Sequence, residues 1–486
     1  MDGSELYFRE KEKRNGWIPD LSVIGMGRVG LVTALSFAAK GHRVLGVDLD
    51  HRMVAKLRKG QASFFEPGLH ELLTKALDSG NLEVSEAYDQ RLLPAQIHFI
   101  CVDTGSADGA AIDLTNLRSA LRDLSPYVRP DAVVALRSTV PPGTTEAARR
   151  LLSKNGIGPS VTCNPEFLRE GSAVEDFFNP DRVVLGVTTE EAREALLALY
   201  LDFPGTKIVC HPRTAEMVKY TSNALLAVNI SFINEIAGIC EKVGADVRIV
   251  SRALKLDHRI GPHAYVEAGL GFGGSCLPKD IAALALVAKL VQQPTRLLVA
   301  AREANDAQRQ GVIDRLLDRL GDLDGRVIGI IGLAFKPNTD DVRNAPGLEI
   351  AQGLIRMGAW VKVYDPLVEH ETFRHPPYEV AKDIYEAADG ADALVLANSW
   401  DGLGGVQMER IRSLMRRPLV IDGRNIFDPR AMREKGFEYI ALGVGDERQP
   451  LPYGSFDKTF AKPGELISPR ASWDGLNLMD KDGFAA

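Results

Sequence analysis

Cysteine is scarce in this chain, and its placement excludes two structural roles. The 486 residues contain five cysteines, at positions 101, 163, 210, 240 and 276. They are odd in number, scattered and without a CxxC pair, so we expect neither a disulfide framework nor a zinc site. This usage favours a cytoplasmic protein.

Long apolar runs and an excess of positive charge are also missing. No uninterrupted apolar run approaches the roughly 18 residues that a membrane helix needs, and residues 1–20 lack the apolar core of a signal peptide. The net charge is −7, from 58 basic and 65 acidic residues. A broad nucleic-acid surface is therefore not expected, and neither is a membrane partner. The length suggests two or three domains.

Short apolar runs alternate with amphipathic stretches along most of the chain. Helical periodicity is visible in Val32–Lys40, in Thr144–Ser153 and, without interruption, from about Thr214 to Val243. The expected buried strands are Leu21–Ile24, Arg43–Val47, Ile97–Val102, Asp131–Leu136, Val161–Cys163, Val327–Ile331, Trp360–Tyr364, Ala393–Ala397 and Leu419–Asp422. Strand–helix alternation predicts an α/β fold with two Rossmann-like, doubly wound parallel-sheet domains joined by a long central helix.

A glycine-rich turn directly follows the first expected strand. Its sequence is Gly25-Met26-Gly27-Arg28-Val29-Gly30, and it opens a helix whose free N–H groups suit a pyrophosphate. Asp48 ends the second strand, where its carboxylate can accept hydrogen bonds from a ribose diol and would repel a 2′-phosphate. These features together predict an NAD site.

Cys276 differs from the other cysteines because it follows a glycine-rich loop. The segment Gly271–Asp280 reads GFGGSCLPKD, with Lys279 and Asp280 close behind the thiol. A nearby ammonium would lower the pKa of the thiol and favour the nucleophilic thiolate. A nucleophile is thus favoured over a purely structural loop cysteine.

These motifs, with others in matching order between about residues 20 and 445, resemble the nucleotide-sugar dehydrogenase family, and most closely its UDP-glucose branch. The further motifs are Phe65–Leu69, Ser138–Pro141, Asn164–Gly171, Pro180–Arg182, Ala215–Tyr220, Asn234–Glu235, Asp257–Gly261, Gly332–Asp341 and Asp422–Asn425.

The resemblance implies a four-electron oxidation of UDP-glucose to UDP-glucuronate, with two NAD per turnover and no metal. Cys276 would attack an aldehyde intermediate to give a thiohemiacetal and then a thioester, which water releases as the acid. Lys219 and Asn223, four residues apart on one helix face, could stabilise the oxyanions. Thr139, Glu166 and Asp280 would handle protons and water, and which of them is the base is left open.

The resemblance also implies the binding residues. For the cofactor they are Gly25, Met26, Gly27, Arg28, Val29, Gly30, Asp48, Thr104, Thr139, Glu170, Lys279 and Arg343. For the sugar nucleotide they are Glu166, Phe167, Leu168, Arg169, Glu170, Lys219, Asn223, Arg259, Phe272, Gly273, Gly274, Phe335, Lys336 and Arg424. Arg259 would reach a neighbouring subunit's site, which implies a homodimer or higher homo-oligomer built around the long helix.

The implied organisation has five parts. A polar N-terminal extension (1–16) precedes an NAD-binding domain (17–210) and a central helical dimerisation region with the cysteine loop (211–305). A UDP-sugar-binding Rossmann-like domain (306–445) and a loosely ordered tail (446–486) follow.

Two positions depart from the family pattern, and several alternatives stay open. Met53 stands where relatives often carry a basic residue, and Asp103 replaces a glycine near the expected cofactor path. A GDP-mannose dehydrogenase would share the same chemistry, whereas Ser275, Lys279 and Asp280 argue against the UDP-N-acetylmannosamine branch. A two-electron hydroxyacid dehydrogenase would have no use for Cys276, and a non-catalytic nucleotide-sugar sensor would form no NADH.

Overall fold

A computed structural model describes residues 20–107, 111–153, 156–368, 378–400 and 402–446. The predicted extension 1–16 and all of the predicted tail except residue 446 lie outside the described residues. The strands are β1 Leu21–Ile24, β2 Val44–Val47, β3 Leu82–Ser85, β4 Ile97–Ile100, β5 Ser106–Ala107, β6 Ala111–Ile112, β7 Val133–Leu136, β8 Ser160–Cys163, β9 Arg182–Gly186, β10 Thr206–Cys210, β11 Val327–Ile331, β12 Trp360–Tyr364, β13 Glu379–Val380, β14 Ala393–Leu396, β15 Leu419–Asp422 and β16 Glu438–Ala441. The α-helices are α1 Arg28–Ala39, α2 His51–Leu57, α3 Leu69–Asp78, α4 Thr115–Leu124, α5 Thr144–Leu152, α6 Ala173–Phe178, α7 Glu190–Leu199, α8 Pro212–Val243, α9 Val247–Leu256, α10 Leu277–Leu290, α11 Arg296–Leu320, α12 Pro346–Arg356, α13 Ile384–Ala388, α14 Met408–Leu414 and α15 Pro429–Glu434.

The first domain is built on an eight-stranded sheet. Its strand order is β10-β9-β8-β7-β4-β1-β2-β3, and β1 lies between β2 and β4 with Leu21 opposite both Val44 and Ile97. Neighbouring strands are parallel except β8 and β9, which meet antiparallel through Cys163 and Gly186. The order reverses between β1 and β4, and open α/β sheets bind ligands at the carboxyl ends of the strands at such a point.

The second domain repeats this plan with six strands. The order is β13-β12-β11-β14-β15-β16, and every pair is parallel. Its reversal lies between β11 and β14, directly before Gly332 and Ala397. The two parallel-sheet domains and the long helix confirm the predicted fold class.

The apolar runs become strands because both faces of each sheet are covered. All four residues of β1 are buried, and their side chains alternate between two cores: Leu21 and Val23 pack on one face, Ile24 on the other. Parallel strands buried on both faces have continuous apolar sequences of this kind.

Helix α8 connects the domains and carries polar residues on its buried side. It runs for 32 residues, starts with Pro212 in its first turn and ends at Gly244 in the left-handed conformation. The helix is long enough to cross a membrane, and an 18-residue window of it is apolar enough, with a mean hydropathy of 1.4. However, 44% of that window is buried, and the helix packs against α10 and α11. The core helix of a globular protein has these same properties.

Candidate active site

The first of two large cavities lies at the carboxyl ends of β1, β2, β4 and β7. It is called the glycine-loop cavity here, and its volume is about 1100 Å³. The residues predicted for cofactor binding that line it are Gly25, Gly27, Arg28, Val29, Asp48, Thr104, Thr139, Glu170, Lys279 and Arg343. Met26 and Gly30 are not among the lining residues: Met26 is fully buried beneath Gly46, and Gly30 lies inside the turn.

The three glycines of the loop occupy their positions for different geometric reasons. Gly25 has φ +88°, and a Cβ on Gly30 would lie 1.8 Å from the carbonyl oxygen of Gly25. A Cβ on Gly27, by contrast, would meet no protein atom within 4 Å. The loop therefore closes a tight turn and leaves its middle open to a ligand at the N-terminus of α1, which suits a dinucleotide pyrophosphate.

Asp48 is held at the rim of this loop. Its Oδ2 accepts a hydrogen bond from the backbone N–H of Met26 at 2.7 Å, and its Oδ1 accepts one from Asp50 at 3.0 Å. A carboxylate fixed after β2 fits recognition of a ribose diol. The two unusual residues, Met53 and Asp103, also line this cavity.

Arg28 links the glycine loop to the second domain. Its guanidinium donates to Asp340 at 2.6 Å, and it lies 3.8 Å from Glu170. Asp340 also accepts from the backbone N–H of Phe65 at 2.9 Å, and Arg343 lies 3.6 Å from Glu170. The segment around residue 340 thus lies beside the glycine-loop cavity, which Arg343 and Asn344 line.

Glu170 sits in this charged cluster as a poorly solvated acid. Burial, and then the neighbouring Asp341 carboxylate, raise its pKa to about 7, against the opposing effects of Arg28 and Arg343. The pKa of Asp341 moves the opposite way: burial would raise it, but Arg343 lowers it further. Glu170 therefore carries the shared proton near neutral pH.

A second cavity, of about 1040 Å³, is called the Phe167 cavity. The predicted substrate residues that line it are Glu166, Phe167, Leu168, Arg169, Lys219 and Asn223. Arg169 is paired with Asp176 at 2.5 Å, and Arg182 lies over the ring of Phe167 at 4.1 Å. Glu166 and Arg137 line both cavities, so the two spaces meet beside them.

Lys219 and Glu166 form a buried ion pair at this junction. Their Nζ and Oε1 atoms are 2.8 Å apart, and the other carboxylate oxygen accepts from the backbone N–H of Leu168 at 2.6 Å. Burial alone would raise the pKa of Glu166, but Lys219, Leu168 and Arg137 outweigh it and the net pKa is lowered. Burial would lower the pKa of Lys219, but Glu166, Cys276 and Asp280 raise it overall. Both groups are held in their charged forms.

Asn223 is oriented by Asp280. The amide nitrogen of Asn223 donates to Asp280 Oδ2 at 2.5 Å, and Lys279 donates to the other oxygen at 2.8 Å. Asn223 lies one turn beyond Lys219 on α8, so the ammonium and the amide face the same space.

Cys276 stands at the N-terminus of α10 and lines the glycine-loop cavity. It is the one exposed cysteine of the five, yet protein atoms enclose most of its surroundings. That enclosure raises the pKa of the thiol, and Lys219 partly opposes the rise. A helix N-terminus also favours negative charge on a ligand held there.

The expectation that a neighbouring ammonium gives Cys276 a lowered pKa is wrong. Lys279 is engaged by Asp280, and the ammonium that acts on the thiol is Lys219. Its effect is smaller than that of burial, so the net pKa is raised.

The glycines before Cys276 are wedged against the second domain. A Cβ on Gly273 would lie 2.1 Å from the carbonyl oxygen of Asn344, and one on Gly274 would lie 2.8 Å from the ring of Phe335. Phe272 is buried in the same loop, and its backbone N–H donates to Asn305 at 2.7 Å. The loop is thus fixed from two sides.

Some predicted substrate residues do not line either cavity. Phe272, Gly273, Gly274, Phe335, Lys336, Arg424 and Arg259 are not among the lining residues. The guanidinium of Arg424 donates to the carbonyl oxygens of Ala397 and Phe335. Burial lowers the pKa of Lys336, although Glu170 and Glu66 act to raise it. Arg259 is exposed and pairs only with Asp257 among the described residues.

Two buried carboxylates support the site, and sequence reasoning assigned no role to either of them. Glu66 accepts from the backbone N–H groups of Gly171 and Ala173, both at 2.7 Å. Glu216 accepts from Gly143 at 2.6 Å and from Thr145, which anchors the loop that carries Thr139. A charge inside an otherwise apolar motif, as in Phe65–Leu69, is the signal that could have identified them.

Metal ligands are not clustered in the described part of the chain. Among those residues, no group of three or more His, Cys, Asp or Glu side chains could hold an ion.

Comparison with protein families covers the chain in three consecutive segments. Residues 20–204 match the NAD binding domain of the UDP-glucose/GDP-mannose dehydrogenase family, residues 213–307 its central domain and residues 329–429 its UDP binding domain.

Individual relatives agree over most of their length. A UDP-glucose 6-dehydrogenase of Bacillus subtilis is 40% identical over 429 residues, which is 87% of this chain and 97% of the relative. A UDP-glucose 6-dehydrogenase of Rhizobium meliloti is 39% identical, over 88% of this chain and 100% of the relative. Among solved structures, a UDP-glucose dehydrogenase of Pyrobaculum islandicum has 38% identity and a TM-score of 0.81, and covers 89% of this chain and 99% of its own.

Proposed function

Because the chain belongs to the UDP-glucose/GDP-mannose dehydrogenase family, an NAD-dependent dehydrogenase family, we propose that it oxidises the primary alcohol of UDP-glucose to the carboxylate of UDP-glucuronate. The observation that carries the proposal is the meeting of the two cavities at Glu166, with Lys219 on one side and Cys276 on the other. UDP-glucose is favoured over GDP-mannose by the relatives' activities at 39–40% identity. We place the reaction in the cytoplasm, in keeping with the five free cysteines.

The glycine loop, the open space at Gly27 and the carboxylate of Asp48 fit NAD. When bound, NAD supplies the hydride acceptor, and removal of four electrons requires two NAD per sugar, without a metal. The protein must convert the substrate carbon into a form that can transfer hydride. The first oxidation yields an aldehyde, and an aldehyde carbon gives up hydride readily only after a nucleophile has made it tetrahedral.

Cys276 supplies that nucleophile. Its thiol gives up its proton to Glu166, its sulfur forms a C–S bond to the aldehyde carbon, and the C=O π bond breaks to leave the oxyanion of a thiohemiacetal. Loss of the second hydride leaves a thioester. Water then adds to the carbonyl carbon, the C–S bond breaks, and the products are the carboxylate and the free thiol. Lys219 and Asn223 stabilise the oxyanions at the two tetrahedral stages.

Among the three acid–base candidates, Glu166 is the one we propose to move protons. Its carboxylate is ionised and bonded to Lys219, so it can accept a proton that passes from substrate or water. Asp280 instead holds Asn223 and Lys279, and Thr139 lines the glycine-loop cavity.

The deciding experiment measures NADH formed per UDP-glucose consumed by the wild type, Cys276→Ser and Cys210→Ser. We expect two NADH per sugar in the wild type and in the half-buried Cys210 control, and no sustained turnover in Cys276→Ser. One NADH per sugar would support a two-electron dehydrogenase instead. NADH from GDP-mannose alone would overturn the substrate, and ligand-dependent stabilisation without NADH from either sugar would support the sensor.

We also propose that two copies of the chain pair through α8. Leu225, Phe232 and Ile239 recur every seven residues and are 58%, 49% and 57% exposed. This spacing places them along one side of the helix, about a third of a turn or more from Lys219. Leu225, at one end of the stripe, also lines the edge of the Phe167 cavity. Ile249 and Leu256 of α9 are exposed at the same interval, and Arg259 follows directly after them. An apolar stripe of this length favours association with a second copy, which would bring Arg259 near its partner's site.

A further inference from the structure

Arg137 is a buried cation at the point where the two cavities meet. It directly follows β7, is 5% exposed, and lines both the glycine-loop cavity and the Phe167 cavity. Its guanidinium donates to Thr33 Oγ1 at 2.9 Å, to Asn164 Oδ1 at 2.8 Å and to the hydroxyl of Tyr200 at 3.1 Å.

All three of these acceptors are neutral, and the guanidinium also lies over the ring of Phe177, 5.2 Å from its centroid. In the part of the chain that the structure describes, no carboxylate lies within 4 Å of this guanidinium. Removing an unpaired cation from water costs several kcal/mol, and a neutral side chain would avoid that cost. The ring of Phe177 offsets only part of that cost, so the charge requires a further explanation.

Glu166 provides that explanation. Arg137 lowers the pKa of this carboxyl group, and Asn164, which Arg137 holds, lies two residues before it in the chain. The other titratable groups that act on or respond to Glu166 are Lys219 from α8, Cys276 at the start of α10 and Cys101 after β4. Arg137 is held at the end of strand β7, whereas the other cation that acts on Glu166, Lys219, is held by helix α8.

We propose that Arg137 is a positioning residue that keeps Glu166 ionised through its buried positive charge and fixes the Glu166 loop through Asn164. The inference rests on the proposed function, because it assigns Arg137 an effect on turnover through the acid–base role of Glu166. Lys219 leaves Glu166 when it stabilises a substrate oxyanion. Arg137 stays in place because its three acceptors belong to the protein.

The consequence is a directed change in the acid limb of the pH–rate profile. Turnover that needs ionised Glu166 is lost as the pH falls through the lowered pKa of this group. Without the Arg137 charge that pKa rises, so the limb moves to higher pH, by about one unit for the loss of one nearby charge. A purely structural role would lower kcat without moving the limb.

The experiment compares kcat against pH for wild type, Arg137→Gln, Arg137→Met, Arg137→Lys and Tyr200→Phe, with UDP-glucose and NAD saturating. We expect the acid limb to move to higher pH in the two neutral variants. In Arg137→Lys, which keeps the charge, it should stay within about 0.3 pH units of the wild type. Tyr200→Phe removes one hydrogen bond to Arg137 without changing charge, so its limb should also stay. Two neutral variants are included because either one can fail to fold, which thermal melting detects.

An unmoved limb in a folded neutral variant overturns the inference, as does an equal rise in Arg137→Lys. Absence of NADH formation by the wild type is a different result, since it removes the proposed function itself.

Discussion

At the scale of single residues, the buried pair of Lys219 and Glu166 shows how the site balances charge. Neither side chain is more than 7% exposed, so each is tolerated in its charged form because of the other. The folded-state pKa of Glu166 lies below its ordinary 4.5, and that of Lys219 lies above its ordinary 10.5. The stabilisation from Glu166 is present above pH 4.5 and lost as the pH falls through its lowered pKa. That from Lys219 is present below pH 10.5 and lost as the pH rises through its raised pKa.

Lys219→Ala should destabilise the fold near neutral pH by about 3–5 kcal/mol, because it leaves the Glu166 carboxylate buried without its partner. Urea unfolding at pH 7 measures the loss, and Lys207→Ala on β10 serves as a lysine control. The double variant Lys219→Met/Glu166→Leu should recover much of the loss. A Lys219→Ala cost below about 1 kcal/mol would contradict the buried pair.

Gly27 and Gly30 should respond differently to alanine. Gly30→Ala places a Cβ against the Gly25 carbonyl and should disrupt the loop even without ligand, lowering the melting temperature. Gly27→Ala meets no protein atom, so we expect a stability change below about 1 kcal/mol but a large loss of NAD affinity. Thermal melting and titration calorimetry separate the two effects. Unchanged NAD affinity in Gly27→Ala would place the pyrophosphate elsewhere.

At the scale of elements, α8 has two faces with different tasks. One face carries the buried Glu216, Lys219 and Asn223 to the site, and the other carries the exposed stripe at positions 225, 232 and 239. The spacing of Lys219 and Asn223 on one face follows from sequence alone. Their partners Glu166 and Asp280 are 53 and 57 residues away along the chain, so only the fold brings them together.

Leu225→Glu/Phe232→Glu should convert a dimer to a monomer of 53.0 kDa, because it places two charges in the apolar stripe. Sedimentation velocity measures the mass, and Leu201→Glu, at an exposed leucine outside the stripe, is the matched control. A double variant that sediments as the wild type does would show that the stripe is not the interface.

The strands that sequence reasoning identified are those with continuous apolar runs, such as β1, β7 and β11. It did not identify β3, β9, β10 or β16, nor the two-residue strands β5, β6 and β13. The apolar run of β9 follows Arg182 and was missed although it is buried. β3 and β16 contain charged residues, and β10 is largely exposed. The antiparallel meeting of β8 and β9 also could not be predicted, because direction depends on how the chain returns after Cys163, and no local pattern encodes that.

At the scale of the whole molecule, the two domains meet through charged groups beside the glycine-loop cavity. Arg28 and Glu170 come from the first domain, and Asp340, Asp341 and Arg343 from the second. Sequence could assign Arg28, Glu170 and Arg343 to the cofactor site only through the family resemblance. The bond from Arg28 to Asp340 spans 312 positions, which no local signal predicts.

NAD affinity should fall as the pH rises through about 7, because Glu170 then loses its proton and its carboxylate repels the pyrophosphate. We expect the dissociation constant to rise several-fold between pH 6 and pH 8.5, as measured by calorimetry. Glu170→Gln should remove this dependence, whereas Glu175→Gln on α6 should retain it. An equally steep dependence in Glu170→Gln would assign the titration to another group.

The meeting of two cavities at a single junction has a consequence for the order of events. Apart from Glu166 and Arg137, the two cavities have different lining residues, so on the proposed mechanism exchange of the spent cofactor need not displace the sugar. A sugar tethered through sulfur can wait while the oxidant is replaced. In the mechanism proposed above, both oxidations then take place during a single residence of the substrate, and the reactive aldehyde is not released into solution.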